Sequence, residues 1–356
     1  MPRKKPQLER VREAIDGLND QLLDLLNQRT ALVEEIRAFK VEHGMDLYDP
    51  VREARQIQSL MMKNRGPMSN AMVEHVFKEI FRASLSQQMR KGTDQAPLVL
   101  ERSGTPRIVD VGGVPIGGGK PTIIAGPCAV ESEDYLEQVA EAFARLGLKF
   151  IRGGAFKPRT SPYTFQGLGM PGVDLLRKVA SRHDLRVVTE ITDACLLPQF
   201  SDRVDVIQVG ARNMYNYDLL KKLGNAGRPV LLKRHFAATL DEFFQAAEYL
   251  LSSGNRRVIL CERGIRTFEN ATRNTLDISA VCLIKEYTDL PVVVDVSHAA
   301  GRKDLLVPLS RAVLAAGADG IMIEVHPNPA VAMSDGSQQL SLGDFERYLE
   351  GIASFL

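Results

Sequence analysis

The chain has 356 residues, 44% of them hydrophobic and 25% charged, with a formal net charge of +1. That length suits one barrel of about 250 residues plus a smaller module. The near-neutral charge argues against a nucleic-acid partner, so anionic substrates must be caught by local clusters of Lys and Arg.

No apolar run approaches the roughly 20 residues needed to cross a bilayer, so no membrane association is expected. The charged start, Met1-Pro-Arg-Lys-Lys-Pro6, is not followed by the apolar stretch of a secretory signal. Four cysteines at unpatterned spacings suggest a reducing compartment, with the cytoplasm as the expected location.

Apolar residues fall at Leu8, Val11, Ile15, Leu18, Leu22, Leu25, Leu32, Ile36 and Phe39. These alternating steps of three and four predict one long helix from about Gln7 to His43, ended by Gly44. Asp49-Pro50 reads as the N-cap and first-turn proline of a second helix, which carries Val51, Ala54, Ile57, Leu60 and Met61 and ends near Gly66-Pro67. A third helix opens at Ser69 and runs to about Met89, with Val73, Phe77 and Ile80 inward. The seam of the first helix is interrupted by Arg29, and Ser84 and Gln88 occupy seam positions on the third. Such polar seam residues either set oligomer register or meet a ligand.

Residues 1–91 are thus expected to be an all-α three-helix module, 92–106 a linker, and 107–356 the main domain. Ile108–Val111, Gly112-Gly113 and Val114–Ile116 read as a short hairpin. After it, short β-branched runs alternate with amphipathic helices. The candidate strands are 122–125, 150–153, 187–190, 206–210, 230–233, 258–262, 292–295 and 320–324. Eight such strands predict an α/β fold, a closed (β/α)8 TIM barrel. No strand is followed by the Gly-rich signature of a dinucleotide fold.

Barrel enzymes carry their chemistry at the C-terminal strand ends. Two sets of residues stand there. Arg152, Lys157, Arg159, Arg212, Lys233 and Arg263, with Arg234 and Arg266 as weaker members, would repel one another on an apolar rim unless an anion restores pairing. Guanidinium forks suit phosphate and carboxylate. The second set is Cys128, His298, Glu324 and Asp335, which closure of the last strand against the first would bring together as a divalent metal site. Mn²⁺, Fe²⁺, Co²⁺ or Zn²⁺ would suit such a site, and this mixed donor set does not select one metal. Cys195, Cys261 and Cys282 are assigned to packing.

Long motifs then carry a resemblance. Ala125-Gly-Pro-Cys-Ala-Val-Glu131, Arg152-Gly-Gly-Ala-Phe-Lys-Pro-Arg-Thr-Ser-Pro-Tyr163 and Gly210-Ala-Arg-Asn-Met214 resemble the 3-deoxy-D-arabino-heptulosonate 7-phosphate (DAHP) synthases. So do Cys261-Glu-Arg-Gly-Ile-Arg-Thr-Phe-Glu269, Thr272-Arg-Asn-Thr-Leu-Asp277 and Ile323-Glu-Val-His-Pro-Asn-Pro329. The branch is the one related to the 3-deoxy-octulosonate 8-phosphate synthases. Lys157–Ser161 is similar to the loop that meets erythrose 4-phosphate rather than arabinose 5-phosphate.

This resemblance implies condensation of phosphoenolpyruvate with erythrose 4-phosphate. Cys128, His298, Glu324 and Asp335 would be metal ligands. Arg152, Lys157, Arg212, Lys233 and Arg263 would hold phosphoenolpyruvate near Glu190, and Arg159 and Thr160 would meet the aldose phosphate. Lys157 is the candidate proton donor. Two departures stand out: His235-Phe236-Ala237 follows Lys233-Arg234 where the family has glycine, and Val296-Ser-His-Ala-Ala300 replaces a Pro-Ser-His-Ser-Gly pattern.

The helical module resembles the small all-helical chorismate mutases. The match supplies Arg12, Arg29, Lys40, Asp49, Arg52, Glu53, Ser84 and Gln88. By that resemblance Arg12, Arg29 and Arg52 clamp the two carboxylates of chorismate, Lys40 and Gln88 donate to its ether oxygen, and Glu53 binds the ring hydroxyl. The family's pocket is shared by intertwined dimers, so Arg12 would reach into a partner's site. A homodimer or homotetramer, and feedback inhibition by chorismate or prephenate, are the corresponding expectations.

Overall fold

A computed structural model describes residues 5–90, 97–159 and 161–356, without the side chains of 5, 6 and 86–90. Thr160 and the Gln88 side chain, both singled out by the sequence, lie outside the described residues. The chain divides into two compact units, 1–96 and 97–356, each with its own contacts.

Among the described residues the first unit holds three helices: α1 (Lys5–Glu42), α2 (Pro50–Lys63) and α3 (Asn70–Arg90). The Asp49 side chain accepts from Arg52 N–H at 2.9 Å, and Pro50 occupies the first turn. Such a cap stabilises a helix start by about 1 kcal/mol. Ser69 Oγ accepts from Met72 N–H at 3.3 Å at the start of α3. Helices α2 and α3 pack together, with Ile57 and Val73 buried between elements of the unit. The apolar seam of α1 is different. Leu8, Val11, Ile15, Leu18, Leu22, Leu25 and Leu32 are all exposed, Leu18 by 62%. The periodicity is real, but this unit supplies no surface for most of it to bury against.

In the second unit β1 (Val109–Val111) and β2 (Val114–Ile116) form the expected hairpin, with Val111 opposite Val114 and both turn glycines at positive φ. That turn geometry matches strand twist and favours glycine. Eight parallel strands follow: β3 (Thr122–Gly126), β4 (Phe150–Arg152), β5 (Arg186–Ile191), β6 (Val206–Val209), β7 (Val230–Lys233), β8 (Val258–Glu262), β9 (Val292–Asp295) and β10 (Gly320–Glu324). They run in sequence order and close into a barrel as β10 pairs with β3, Glu324 opposite Gly126.

The helices α4 (Glu133–Arg145), α5 (Met170–Arg182), α6 (Leu197–Phe200), α7 (Tyr217–Gly224), α8 (Leu240–Ser252) and α9 (Ile278–Tyr287) follow successive strands. After β9 come α10 (Val296–Ala300) and α11 (Leu306–Ala315), and α12 (Leu342–Ile352) follows β10.

One core lies between the barrel wall and the helices; another fills the barrel, where Ile124, Phe150, Val206, Leu231, Ile259 and Met322 meet Val109, Val111 and Ile116 of the hairpin. The hairpin packs against the early residues of the strands, leaving the opposite end for chemistry.

The sequence-based linker needs amending on its C-terminal side. Val99 is 1% exposed, and its N–H donates to Glu248 at 2.9 Å. Ser103 donates to Asp289 through both N–H and Oγ, at 2.6 and 2.8 Å. Residues 97–106 therefore belong to the barrel unit. Their Gly- and Ser-containing sequence reads as loose because its partners lie far along the chain.

Candidate active sites in the two units

The four donors meet where β10 closes on β3. Gly126 ends β3 at φ +146°, and a Cβ there would stand 2.0 Å from Arg152 O, so only glycine lets the first two strand ends approach this closely. Cys128 follows two residues later, its N–H donating to Gln339 Oε1 at 2.9 Å. Glu324 is the last residue of β10. His298 sits on the short α10, whose start is capped by Asp295 accepting from His298 N–H at 3.0 Å. Asp335 lies in a loop with a left-handed backbone, φ +51°.

Ligating atoms of Cys128, His298, Glu324 and Asp335 all lie within 4.8 Å of one another. Cys128 Sγ is 3.4 Å from Asp335 Oδ2, and His298 Nε2 is 3.6 Å from Glu324 Oε1 and 3.7 Å from Asp335 Oδ2. Burial, then Glu324, pushes the Cys128 thiol up to about 12 against the pull of Lys157 and Arg152. Burial also lowers His298 against the opposing Asp295 and Glu324, which favours the neutral imidazole that can ligate. Burial would raise Glu324, but the Arg152 and Lys157 cations beside it outweigh burial and hold the carboxylate ionised. One thiol, one neutral imidazole and two carboxylates, converging at this spacing, fit a divalent transition metal. The Asp295 carboxylate, 2.8 Å from His298 Nδ1, leaves Nε2 turned toward the other donors.

Beside this cluster opens a cavity of about 530 Å³. Arg152, Lys157, Arg159, Arg212, Lys233 and Arg263 line it, and so do Glu190, Arg266, His298 and Asp335. The deeper cations are fixed by buried acids. Arg152 Nη1 donates to Glu324 Oε1 at 2.7 Å, and Lys233 Nζ pairs with Asp295. Lys157 Nζ lies 3.0 Å from both the Cys128 carbonyl and its Sγ. Two buried donors, Arg152 Nε and Arg263 Nη1, have no partner among the described residues. Burial lowers the Arg263 pKa, with Asp295 opposing. An unpaired buried guanidinium nitrogen is costly and points to an acceptor brought by a ligand. Burial raises the Glu190 pKa although four cations oppose it. Gly210 makes room for that carboxylate, since a Cβ there would sit 2.0 Å from Glu190 Oε1.

Some expectations change. Arg234 does not line the cavity; it is buried in ion pairs with Glu262 and Asp277, each at 2.9 Å, and so has a structural role. Cys261 packs inside the barrel as expected, but Cys195 and Cys282 are exposed. His235 stacks near Tyr215 and Phe236, and Phe236 in turn lies 4.4 Å from the Arg266 guanidinium carbon. The unusual residue therefore builds an aromatic support for a cavity arginine. The altered flank of His298 still makes a short helix with its ligand facing the cluster.

Sequence reasoning missed Asp295, Arg273, Gln338 and Gln339. Arg273 stands inside a motif already quoted and Asp295 ends a candidate strand, both without a role. Nothing in the sequence marks the two glutamines, because Glu324, Arg273 and Cys128, which they meet, lie well apart from them in the chain.

The helical unit has its own cavity of about 320 Å³. Arg29, Lys40, Asp49, Arg52, Glu53 and Ser84 line it. Arg29 Nη1 donates to Ser84 Oγ at 2.5 Å and stands 5.1 Å over the Phe81 ring, so the polar break in the seam is paired. Burial lowers its pKa. Lys40 Nζ donates to the carbonyls of Asp46 and Leu47 at 2.8 and 3.0 Å. Arg12 is exposed and stands 17 residues before Arg29 on the same helix, roughly 25 Å along its axis, so it does not reach this cavity.

Both units have counterparts among known proteins. Residues 89–353 match the family model described as DAHP synthetase I, and residues 11–89 match chorismate mutase type II. A phospho-2-dehydro-3-deoxyheptonate aldolase of Thermotoga maritima is 54% identical over 243 residues, 68% of this chain and 71% of the relative. A 2-dehydro-3-deoxyphosphooctonate aldolase of Fusobacterium nucleatum is 32% identical over 262 residues, 68% of this chain and 93% of the relative. A crystal structure of the Thermotoga maritima DAHP synthase superposes with TM-score 0.69 at 51% identity, over 71% of this chain and 74% of that one. With its closed barrel and its helical chorismate mutase domain, the chain belongs to the DAHP synthetase I family.

Proposed function

We propose that the barrel condenses phosphoenolpyruvate with D-erythrose 4-phosphate and water, giving DAHP and phosphate, with Cys128, His298, Glu324 and Asp335 holding a divalent metal, Mn²⁺ first among the choices. The observation that carries this reading is a cavity of guanidinium and ammonium groups, two with unpartnered buried N–H, opening on the four-donor cluster. A bound metal ion supplies Lewis acidity toward an aldehyde oxygen.

The chain's residues do the rest. Arg152, Arg212, Lys233 and Arg263 take the phosphate and carboxylate of phosphoenolpyruvate, which restores acceptors to the orphan donors. Glu190 sits among these cations and limits how the anion can lie. Arg159 is tied by Nη1 to Ser334 Oγ at 2.9 Å and, with Thr160, receives the aldose phosphate at the rim. C3 of phosphoenolpyruvate then attacks the aldehyde carbon. Lys157 Nζ delivers a proton to the new hydroxyl. Water adds at C2, and phosphate leaves with cleavage of the C–O bond.

The test offers erythrose 4-phosphate and arabinose 5-phosphate in parallel, each with and without EDTA. Turnover of the four-carbon sugar phosphate, abolished by EDTA and restored by Mn²⁺, is expected. Preference for arabinose 5-phosphate, or activity indifferent to EDTA, refutes the reading.

For the helical unit we propose rearrangement of chorismate to prephenate, a unimolecular reaction needing only a charged cage that favours the compact transition state. Arg29 and Arg52 clamp carboxylates, Lys40 and Gln88 donate to the ether oxygen, and Glu53 holds the ring hydroxyl, with Asp49 and Ser84 fixing the frame. The half-exposed seam of α1 and the distance of Arg12 from this cavity support a homodimer, or a homotetramer built from it, in which Arg12 serves the partner's site. Binding of chorismate or prephenate there would inhibit the barrel reaction by linkage. No described helix is long and apolar enough to cross a membrane, and the cytoplasm is the proposed location.

A further inference from the structure

We infer that Gln338 is a positioning residue that sets the Glu324 and Asp335 carboxylates for the metal and ties them to Arg273 on the cavity wall. This rests on the metal reading above and assigns a role to a residue outside the four donors.

Gln338 is 3% exposed. Its Nε2 donates to Glu324 Oε2 at 2.5 Å and lies 3.5 Å from Asp335 Oδ2. Its Oε1 accepts from Arg273 Nη1 at 2.9 Å, and the same nitrogen reaches Asp335 Oδ2 at 3.1 Å. The terminal torsion of a glutamate is broad and soft. Here it is pinned from two sides: Arg152 holds Oε1 and Gln338 holds Oε2. That leaves the Oε1 edge facing His298 Nε2.

The chemistry demands an amide. One end of the side chain meets an anion and the other meets a guanidinium. A carboxylate at 338 would repel Glu324, and an ammonium would repel Arg273. A flipped amide would oppose an acceptor to a carboxylate and a donor to a cation, so the partners determine its orientation. An apolar side chain would leave Glu324 Oε2 buried without a donor. Gln338 also starts from a tight turn, its N–H bonded to Asp335 O at 3.1 Å, so the side chain and the loop that carries Asp335 are set together. Arg273 lines the cavity, so the chain Glu324–Gln338–Arg273 links the donor cluster to the substrate wall.

The experiment uses full-length protein stripped of metal, with Co²⁺ as the probe. Affinity is read by competition with a chromophoric chelator, and geometry by the thiolate-to-cobalt absorption band. Outer partners of metal ligands are worth roughly 10- to 100-fold in affinity. Gln338→Met, of equal length without hydrogen bonds, should weaken Co²⁺ binding by about that factor and shift the band, and lower the metal-free thermal midpoint by roughly 2–12 °C for the acceptor left unpaired. Gln338→Asn, one methylene short, should also lose affinity, and it serves if the methionine variant fails to fold. Wild-type affinity and an unchanged band in both variants would overturn the inference. A wild-type protein that takes up no Co²⁺ with a thiolate band would overturn the metal reading itself, which distinguishes the two failures.

Discussion

Replacing Arg152 by methionine tests the electrostatics of the barrel site without any assay of turnover. Arg152 Nη1 and Glu324 Oε1 are 2.7 Å apart, with side chains 5% and 0% exposed. Removing one partner of such a pair leaves an uncompensated buried charge and costs about 3–5 kcal/mol. For a domain of this size each kcal/mol shifts the thermal midpoint by roughly 2–4 °C. The barrel transition of Arg152→Met should therefore fall by roughly 6–20 °C in EDTA. The double variant Arg152→Met, Glu324→Leu removes both charges, and exchanging a whole buried pair for apolar groups is often neutral. It should recover most of the loss. Differential scanning calorimetry of wild type, both single variants and the double variant closes the cycle. A single variant as stable as wild type, or a double variant no better than Arg152→Met, would refute the claim that Glu324 depends on its guanidinium partner.

Three further outcomes are expected. Arg29→Ala removes the guanidinium held by Ser84, and chorismate consumption followed by ultraviolet absorbance should drop by roughly 100-fold or more in kcat/KM; wild-type rates would sink the carboxylate-clamp role. A shortened chain should begin at Pro97, because Val99 and Ser103 anchor the barrel unit. It should keep synthase activity and lose sensitivity to prephenate, whereas equal inhibition of both forms would exclude the helical unit as the sensor. Burial, then Arg263, Arg266 and Arg212, lower the pKa of His235, with Glu242 opposing. Its neutral form is thus favoured in the folded state, and protonation costs stability as the pH falls below the ordinary histidine value. Its NMR titration should lie below that of a free histidine and move up when phosphoenolpyruvate offsets the arginines; an unshifted titration would contradict the placement.

Much of this molecule was legible before folding was considered. Each barrel strand is a short β-branched run, and the second and third helices of the first unit open on caps of their own, at Asp49-Pro50 and Ser69. These signals are local, so residues such as Ile207 or Ile57 reveal their element without knowledge of the rest. The four donors were legible for a related reason: barrel topology dictates that strand ends converge, so Cys128 and Glu324 had to meet once the strand count was known.

What lay beyond the sequence has a common cause, which is dependence on partners distant in the chain. Cys128 and Gln339 are 211 residues apart, and Ser103 and Asp289 are 186 apart. No period marks Gln338, whose role exists only because Glu324 and Arg273 arrive on either side of it. Nor could the seam of α1 say what covers it, since an apolar stripe records the need for burial and not the surface that meets it. Local pattern and strand count determined the elements and the ring of chemistry. Only the tertiary structure decided which buried nitrogen was left unpaired, which arginine was structural, and which side chains hold the ligands in place, because those follow from distances that no local pattern encodes.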